Sequence, residues 1–203
     1  FILVLSHDEV VHLKCSMINK MPGLHDDKFA NLKAGYTFMM GHPGKKLLFM
    51  GQDFAQWHEW DEKVSLDWYL LREEKNAELQ SYVRDLLHLY KKYPAFYRLD
   101  NDWNGFQWIN ANDGDRSIFS FVRRDETGKK NLLFIINFTP VERADYRVGV
   151  PKRGKFTLLL DNEHGMYPAS GRPTYRSAKG ECDGQPFSSA YPLPACGTAI
   201  FQS

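Results

Sequence analysis

Ser6, His7, Asp8 and Glu9 stand together directly after five consecutive apolar residues, Phe1 to Leu5. A hydroxyl, an imidazole and two carboxylates so close in sequence can move protons, hold hydroxyl groups, or simply cap a strand and satisfy one another. Joint ligation of one metal ion by His7 and Asp8 is disfavoured, because neighbouring residues of an extended strand point to opposite faces. No metal site is expected. A second group follows the apolar run Leu47 to Met50: Gln52, Asp53, Gln56, Glu59 and Asp61 interleave with Trp57 and Trp60, and Trp68 lies further on. Flat aromatic faces beside amides and carboxylates suit pyranose rings, whose faces are C–H surface and whose edges are hydroxyls. Sugar is the ligand class this chemistry points to, with Trp57 and Trp60 as candidate contacts. The competing reading is that tryptophans pack the loop against the body; Trp68 beside Leu66 reads as core.

Both groups sit where an apolar run ends, which locates them in a fold. "FILVL" (1–5) is apolar at every position, as a strand covered on both faces would be, and "LLFM" (47–50) is a second candidate. Between them, Asp26 and Asp27 followed by Phe29, Leu32, Tyr36 and Met39 or Met40 predict a helix over about 26–40, stopped by "GHPG" (41–44). A second helix is expected over about 73–93, with a stripe of Leu79, Tyr82, Val83, Leu86, Leu87 and Tyr90 and a stop at Pro94. The order β, α, β, α is that of parallel βα units. Groups that do chemistry in such units sit just past the C-terminal ends of the strands.

After residue 100 the texture changes. "FQWIN", "SIFSFVRR", "NLLFIINFTP", "YRVGVP", "KFTLLLDN" and "CGTAIF" alternate with turns rich in Gly, Pro, Asn and Asp, predicting an antiparallel sandwich or barrel. The stretch 163–197 is rich in Gly, Pro and Ser and reads as a long irregular connection. The fold class is therefore α/β plus all-β, with domains 1–100 and 101–203.

Composition narrows the partners. Lys and Arg number 26 against 25 Asp and Glu, so no net field draws in nucleic acid or an anionic membrane. No apolar run approaches the roughly 20 residues needed to cross a bilayer. Cys15, Cys182 and Cys196 have neither disulfide-framework nor zinc spacing, which predicts reduced, buried thiols and fits a cytoplasmic protein. "NFT" (137–139) fits a glycosylation pattern but lies inside an apolar run.

The motifs "FILVLSHDEVVH", "KMPG", "KFANL", "HPGKKLLFMGQDFAQ", "EWDEKVSLDW", "VRDLLHLYKKYPAFYRLD", "FQWINANDGDRSIFSFVRR" and "FIINFTPVERADYRVGVP" occur in this order. Together they resemble the C-terminal third of bacterial glycogen branching enzymes, members of the α-amylase superfamily. The resemblance implies the last two βα units of a TIM-type (β/α)8 barrel followed by a β-sandwich, an α-glucan substrate and no cofactor. By the "SHDE" motif it implies that Asp8 stabilises a cation-like transition state, that His7 donates to the same sugar, and that Glu9 and Gln52 are further substrate-binding candidates. It implies a nucleophile and an acid/base upstream of Phe1, so that this stretch alone is inactive. Two βα units alone would leave a strand edge bare, which predicts self-association. A non-catalytic carbohydrate-binding module, or a hydrolytic amylase or debranching relative, is the alternative. Two departures stand out: "HLKC" (12–15) where the family usually has HGKG, and Asp53 where it usually has glutamate. If the lost glycines required positive φ, Leu13 and Cys15 must bear it.

Overall fold

The computed structural model describes residues 5–203, so the strand expected over 1–5 lies outside the described residues except for Leu5. Leu5 pairs in parallel with Leu48, and the Phe49 N–H donates to the Leu5 carbonyl at 3.1 Å. A four-residue strand was expected at 47–50; among the described residues the pairing there is the Leu5–Leu48 bridge.

Helix α1 spans His25–Gly41 and α2 spans Glu74–Lys92, each within two residues of expectation. The Asp27 carboxylate accepts the Leu24 N–H at 3.0 Å, tying off one orphan donor at the positive end of α1. Phe29, Leu32, Tyr36, Met39 and Met40 are all buried, as their spacing predicted. In α2 the stripe is shifted: Leu79, Tyr82, Val83, Leu86 and Leu89 are buried, whereas Leu87 is exposed and Tyr90 half-buried. Leu87 falls off the stripe that faces α1 and the sheet and borders an open groove beside Leu48 and Phe49.

The β half holds ten strands: β1 (Phe106–Asn110), β2 (Ile118–Arg123), β3 (Leu132–Asn137), β4 (Arg143–Val150), β5 (Lys155–Asp161), β6 (Gly165–Met166), β7 (Thr174–Arg176), β8 (Ala178–Cys182), β9 (Gln185–Leu193) and β10 (Thr198–Gln202). One sheet runs β1-β2-β3-β10-β5-β6 with β7 also on β5; the other is β4-β9-β8. All the pairings are antiparallel. The stretch expected to be an irregular connection thus contains four strands, and its β9 is the centre of the second sheet. Prolines hid it. Pro186 lies opposite the register shift between Lys179 and Cys182, and Pro192 opposite that between Arg143 and Tyr146. A residue without an N–H is tolerated in a central strand where the facing ladder is already interrupted.

The larger sheet is apolar on both faces. Leu133 and Ile135 of β3 enter the interior between the two sheets, with Val148, Val150, Tyr191 and Leu193 opposite. Leu132, Phe134 and Ile136, one residue out of phase, join the core made by α1 and α2. Three layers result, helices on sheet on sheet, and the middle layer requires both neighbours. Phe121 and Phe134 stack at 4.8 Å on the helix side. Gly41 lets α1 end against them, since a Cβ there would lie 2.6 Å from the Phe134 ring.

Two polar nodes pin the layers. The Tyr82 hydroxyl of α2 bonds to Thr37 of α1 at 2.6 Å and to Thr198 of β10 at 2.9 Å. The Arg123 side chain is wholly buried; it donates to the Gly41 carbonyl at 2.9 Å and to Asp100 at 2.7 Å. Asp100→Ala would leave a buried guanidinium without its counter-charge, so we expect a loss of about 3–5 kcal/mol in urea unfolding. A loss below about 1 kcal/mol would show that water reaches the site.

His42, at the end of α1, is partly buried against Phe106 and Trp108, and burial lowers its pKa from 6.5 to about 4. The unfolded chain takes up this proton first, so the stabilisation is complete above about pH 6.5 and is lost as pH falls toward 4. The ring is partly solvated, so about 1 kcal/mol is the expected size. Urea midpoints from pH 7 to 4 should fall further for the wild type than for His42→Gln; parallel curves would contradict this.

Candidate functional site

The site is built on the two chain segments that leave the Leu5–Leu48 bridge. After Leu5 the chain turns at once: His7–Glu9 form one turn of 3-10 helix, closed by the Val10 N–H on the His7 carbonyl at 2.9 Å. The turn removes the opposite-face constraint of an extended strand. His7 Nε2 and Asp8 Oδ1 lie 3.2 Å apart, and the Ser6 hydroxyl donates to Asp8 Oδ2 at 3.2 Å. Lys14 donates to the Asp8 carbonyl at 2.8 Å, and Lys20 pairs with Glu9 at 3.5 Å. The side chains of His7 and Asp8 are 56% and 67% exposed, open to a ligand.

After Leu48, Gly51 adopts φ 85° and Gln52–Phe54 form a second short turn, ended by Ala55 at φ 55°. Phe49 bridges the two segments, its ring 6.0 Å from His7 and edge-on to Trp60 at 5.2 Å. Trp60 also donates its backbone N–H to Val10 at 3.0 Å. Trp57 stacks on His25 at 5.7 Å and meets Phe29 edge-on, at the start of α1. Its carbonyl accepts from Ser16 and Asn19. Trp57 and Trp60 are therefore partly buried packing residues with some face left open. Trp68, expected in the core, is 54% exposed and rests on Phe54 at 5.2 Å. Its place in a short solvent-facing turn, not its neighbour Leu66, decides this.

Gln52 is only 4% exposed, and neither its amide nitrogen nor its amide oxygen has a partner. It lines a cavity of about 10 Å³ with Gln56, Ile18 and Trp60. Asp53 meets Gln80 of α2 at 3.3 Å. The cluster therefore gathers His7 and Asp8 at the surface, with Glu9 on Lys20 and Gln52 set beneath. Among the described residues no group of three or more His, Cys, Asp or Glu could hold a metal ion.

Glu59 was missed as a positioning residue. Its carboxylate accepts the backbone N–H groups of Leu13 at 3.0 Å and Cys15 at 2.5 Å. These belong to the departure from the family pattern: His12, Leu13 and Cys15 have φ of 57°, 64° and 68°. The left-handed conformation that glycine takes freely is thus imposed on side-chain-bearing residues and held by one carboxylate. Cys15 is pushed outward and exposed, contrary to the expected buried thiol, while Cys196 is buried and Cys182 lies between. Asn137 is buried, its amide donating to Val141 and Pro194, so the "NFT" pattern marks a turn. The signal for the loop was the family glycines themselves, read against Leu13 and Cys15.

The comparisons match this architecture in two steps. Residues 108–203 match the family described as alpha amylase, C-terminal all-beta domain. The crystal structure of an AmyP variant in complex with maltotriose superposes on 88% of this chain, more than the β half alone, and on 35% of its own, with a TM-score of 0.62 at 13% identity. That likeness concerns the fold. The sequence likeness goes further. Across 99% of its length the chain is 53% identical to a 1,4-alpha-glucan branching enzyme of Butyrivibrio fibrisolvens, covering 32% of that protein. It is 47% identical, over its full length, to 28% of the Roseobacter denitrificans enzyme. For Aquifex aeolicus the figures are 48% identity over 84% of this chain and 27% of the relative. The chain spans about a third of the length of these relatives, and it is related along its whole length to the C-terminal part of branching enzymes.

The strained loop gives a direct test. Leu13→Gly and Cys15→Gly should each stabilise the chain, by about 1 kcal/mol in urea unfolding, because glycine pays no steric cost at these angles. Unchanged or lowered midpoints would show that the loop does not hold positive φ in solution.

Proposed function

We propose that this chain is the C-terminal part of a 1,4-alpha-glucan branching enzyme, acting on α-glucan in the cytoplasm. In this reading residues 1–100 are the last two βα units of a (β/α)8 barrel and residues 101–203 its closing sandwich. The observation that carries it is the parallel Leu5–Leu48 bridge, with chemistry-bearing residues directly after each partner. The parallel bridge sets this region apart from the antiparallel sheets of the β half and supports a parallel βα arrangement. The relatives' printed activity supports the substrate class, as does the maltotriose in the AmyP complex.

Branching by retention uses a carboxylate nucleophile that takes the glycosyl unit while an acid protonates the leaving oxygen; the 6-hydroxyl of another glucan then replaces water as the attacking group. Those two carboxylates would come from the preceding part of the protein. Asp8 acts by accepting sugar hydroxyls, an interaction that strengthens as positive charge builds on the ring. His7, 3.2 Å away, orients that carboxylate and donates to the same sugar. Glu9 and Gln52 shape the floor, and the open edges of Trp57 and Trp60 border the path of the chain.

In the full-length protein, Asp8→Ala should lower branch formation on amylose by at least about 10²-fold with folding intact. Unchanged branch counts would refute the assignment. The 203-residue chain alone should show no branching activity. In this reading two βα units without the rest of a barrel should make it self-associate in size-exclusion chromatography, a concentration-independent monomer being the contrary result.

A further inference from the structure

We propose that the groove at one end of the sandwich, between the β2–β3 and β4–β5 turns, binds a sugar phosphate. The groove has a volume of about 310 Å³ and is walled by Arg124, Lys129, Lys152, Arg153 and Lys155. No Asp or Glu side chain lines it among the described residues; Ser203, the last residue of this 203-residue chain, is also part of the lining, so its terminal carboxylate is the one anion set against the five cations. The whole chain carries a formal charge of only +1, so five cations around one opening are a local excess and not a reflection of composition. The ion pairs among the described residues use Lys20, Lys75, Arg116, Arg123 and histidines, and none of these five. Arg124 is tied to the Asn104 carbonyl and the Gln107 amide, both neutral, so it is held in place with its charge uncompensated. In the β5–β7 ladder Arg176 stands opposite Lys155. A doubly charged phosphate is the ligand group that such a ring of donors suits.

The rest of the groove speaks to the body of the ligand. Its lining includes Pro151 and, at the end of the sandwich core, Val150 and Phe156, both of them buried. Beside them the Asn131 side-chain amide donates to the Gly128 carbonyl at 3.1 Å, while its Oδ1 is buried with no donor. An unpartnered acceptor beside five cationic side chains suits a ligand that carries O–H groups next to its anion. A phosphorylated sugar supplies both, and its C–H face can rest on Pro151 and on the aliphatic stems of the lysines and arginines. The groove shares no residue with the strand-end cluster, so this inference stands independently of the reading of Asp8.

Titration calorimetry of the 203-residue chain at fixed ionic strength tests it, with glucose 6-phosphate and inorganic phosphate as separate probes. We expect saturable binding of glucose 6-phosphate, weakened more than tenfold in the Lys152→Ala/Arg153→Ala double variant and unchanged in Lys130→Ala, an exposed lysine outside the groove. Asn131→Ala should weaken glucose 6-phosphate several-fold and leave inorganic phosphate unaffected. Circular dichroism of each variant checks that the fold is retained. Absence of saturable binding, equal affinity for the two probes, or insensitivity to the double variant would each overturn the proposal.

Discussion

The structure depends on a sheet that has no face left for water. Leu133 and Ile135 point one way from β3, and Leu132, Phe134 and Ile136 the other. Each fully buried side chain of this size is worth about 1.5–3 kcal/mol, so exposing either face would cost most of the stability of a chain this size. The second sheet covers one side and the helices the other. The helices are therefore held by the sandwich as much as by one another, through the Tyr82 hydroxyl and the Arg123 side chain as well as through apolar contact. Because α1 is fixed along its length, its first turn is fixed too, and with it His25, on which Trp57 stacks.

The strand-end cluster inherits this rigidity. Phe49 ties the segment bearing His7 to that bearing Trp60, and Glu59 holds the loop from His12 to Cys15 in angles its residues resist. Local strain is kept only where the surroundings over-determine the conformation. For the role proposed for Asp8, such a frame matters because a carboxylate acting on developing charge gains when its surroundings need not reorganise. Asp8 itself stays exposed, while Gln52, Phe54 and Ala55 of the neighbouring segment are buried.

Elements with a clear period were legible in the sequence. Both helices follow from apolar residues at helical spacing with Asp26 and Asp27 at one start and Pro94 past one end, and β3 follows from an unbroken apolar run. The residues near the strand ends were legible as a group, because "SHDE" and "GQDF" directly follow apolar runs. What could not be read depended on distant partners. Strand β9 was masked by Pro186 and Pro192, whose tolerance arises from bulges in β8 and β4. The choice of Leu89 over Leu87 depends on where the sheet lies relative to α2. Glu59 looked like one more carboxylate among tryptophans, and only the path of the chain through Leu13 and Cys15 gives it a role.

Native-state hydrogen exchange in increasing denaturant tests the central claim most directly. If one doubly buried sheet holds the molecule together, the slowest amides of α1 and α2 and those of β2, β3 and β10 should converge on one opening free energy with one denaturant slope. Helix amides that open at a clearly lower free energy, while the strands stay protected, would show that the sandwich stands without its helical layer and would contradict the account.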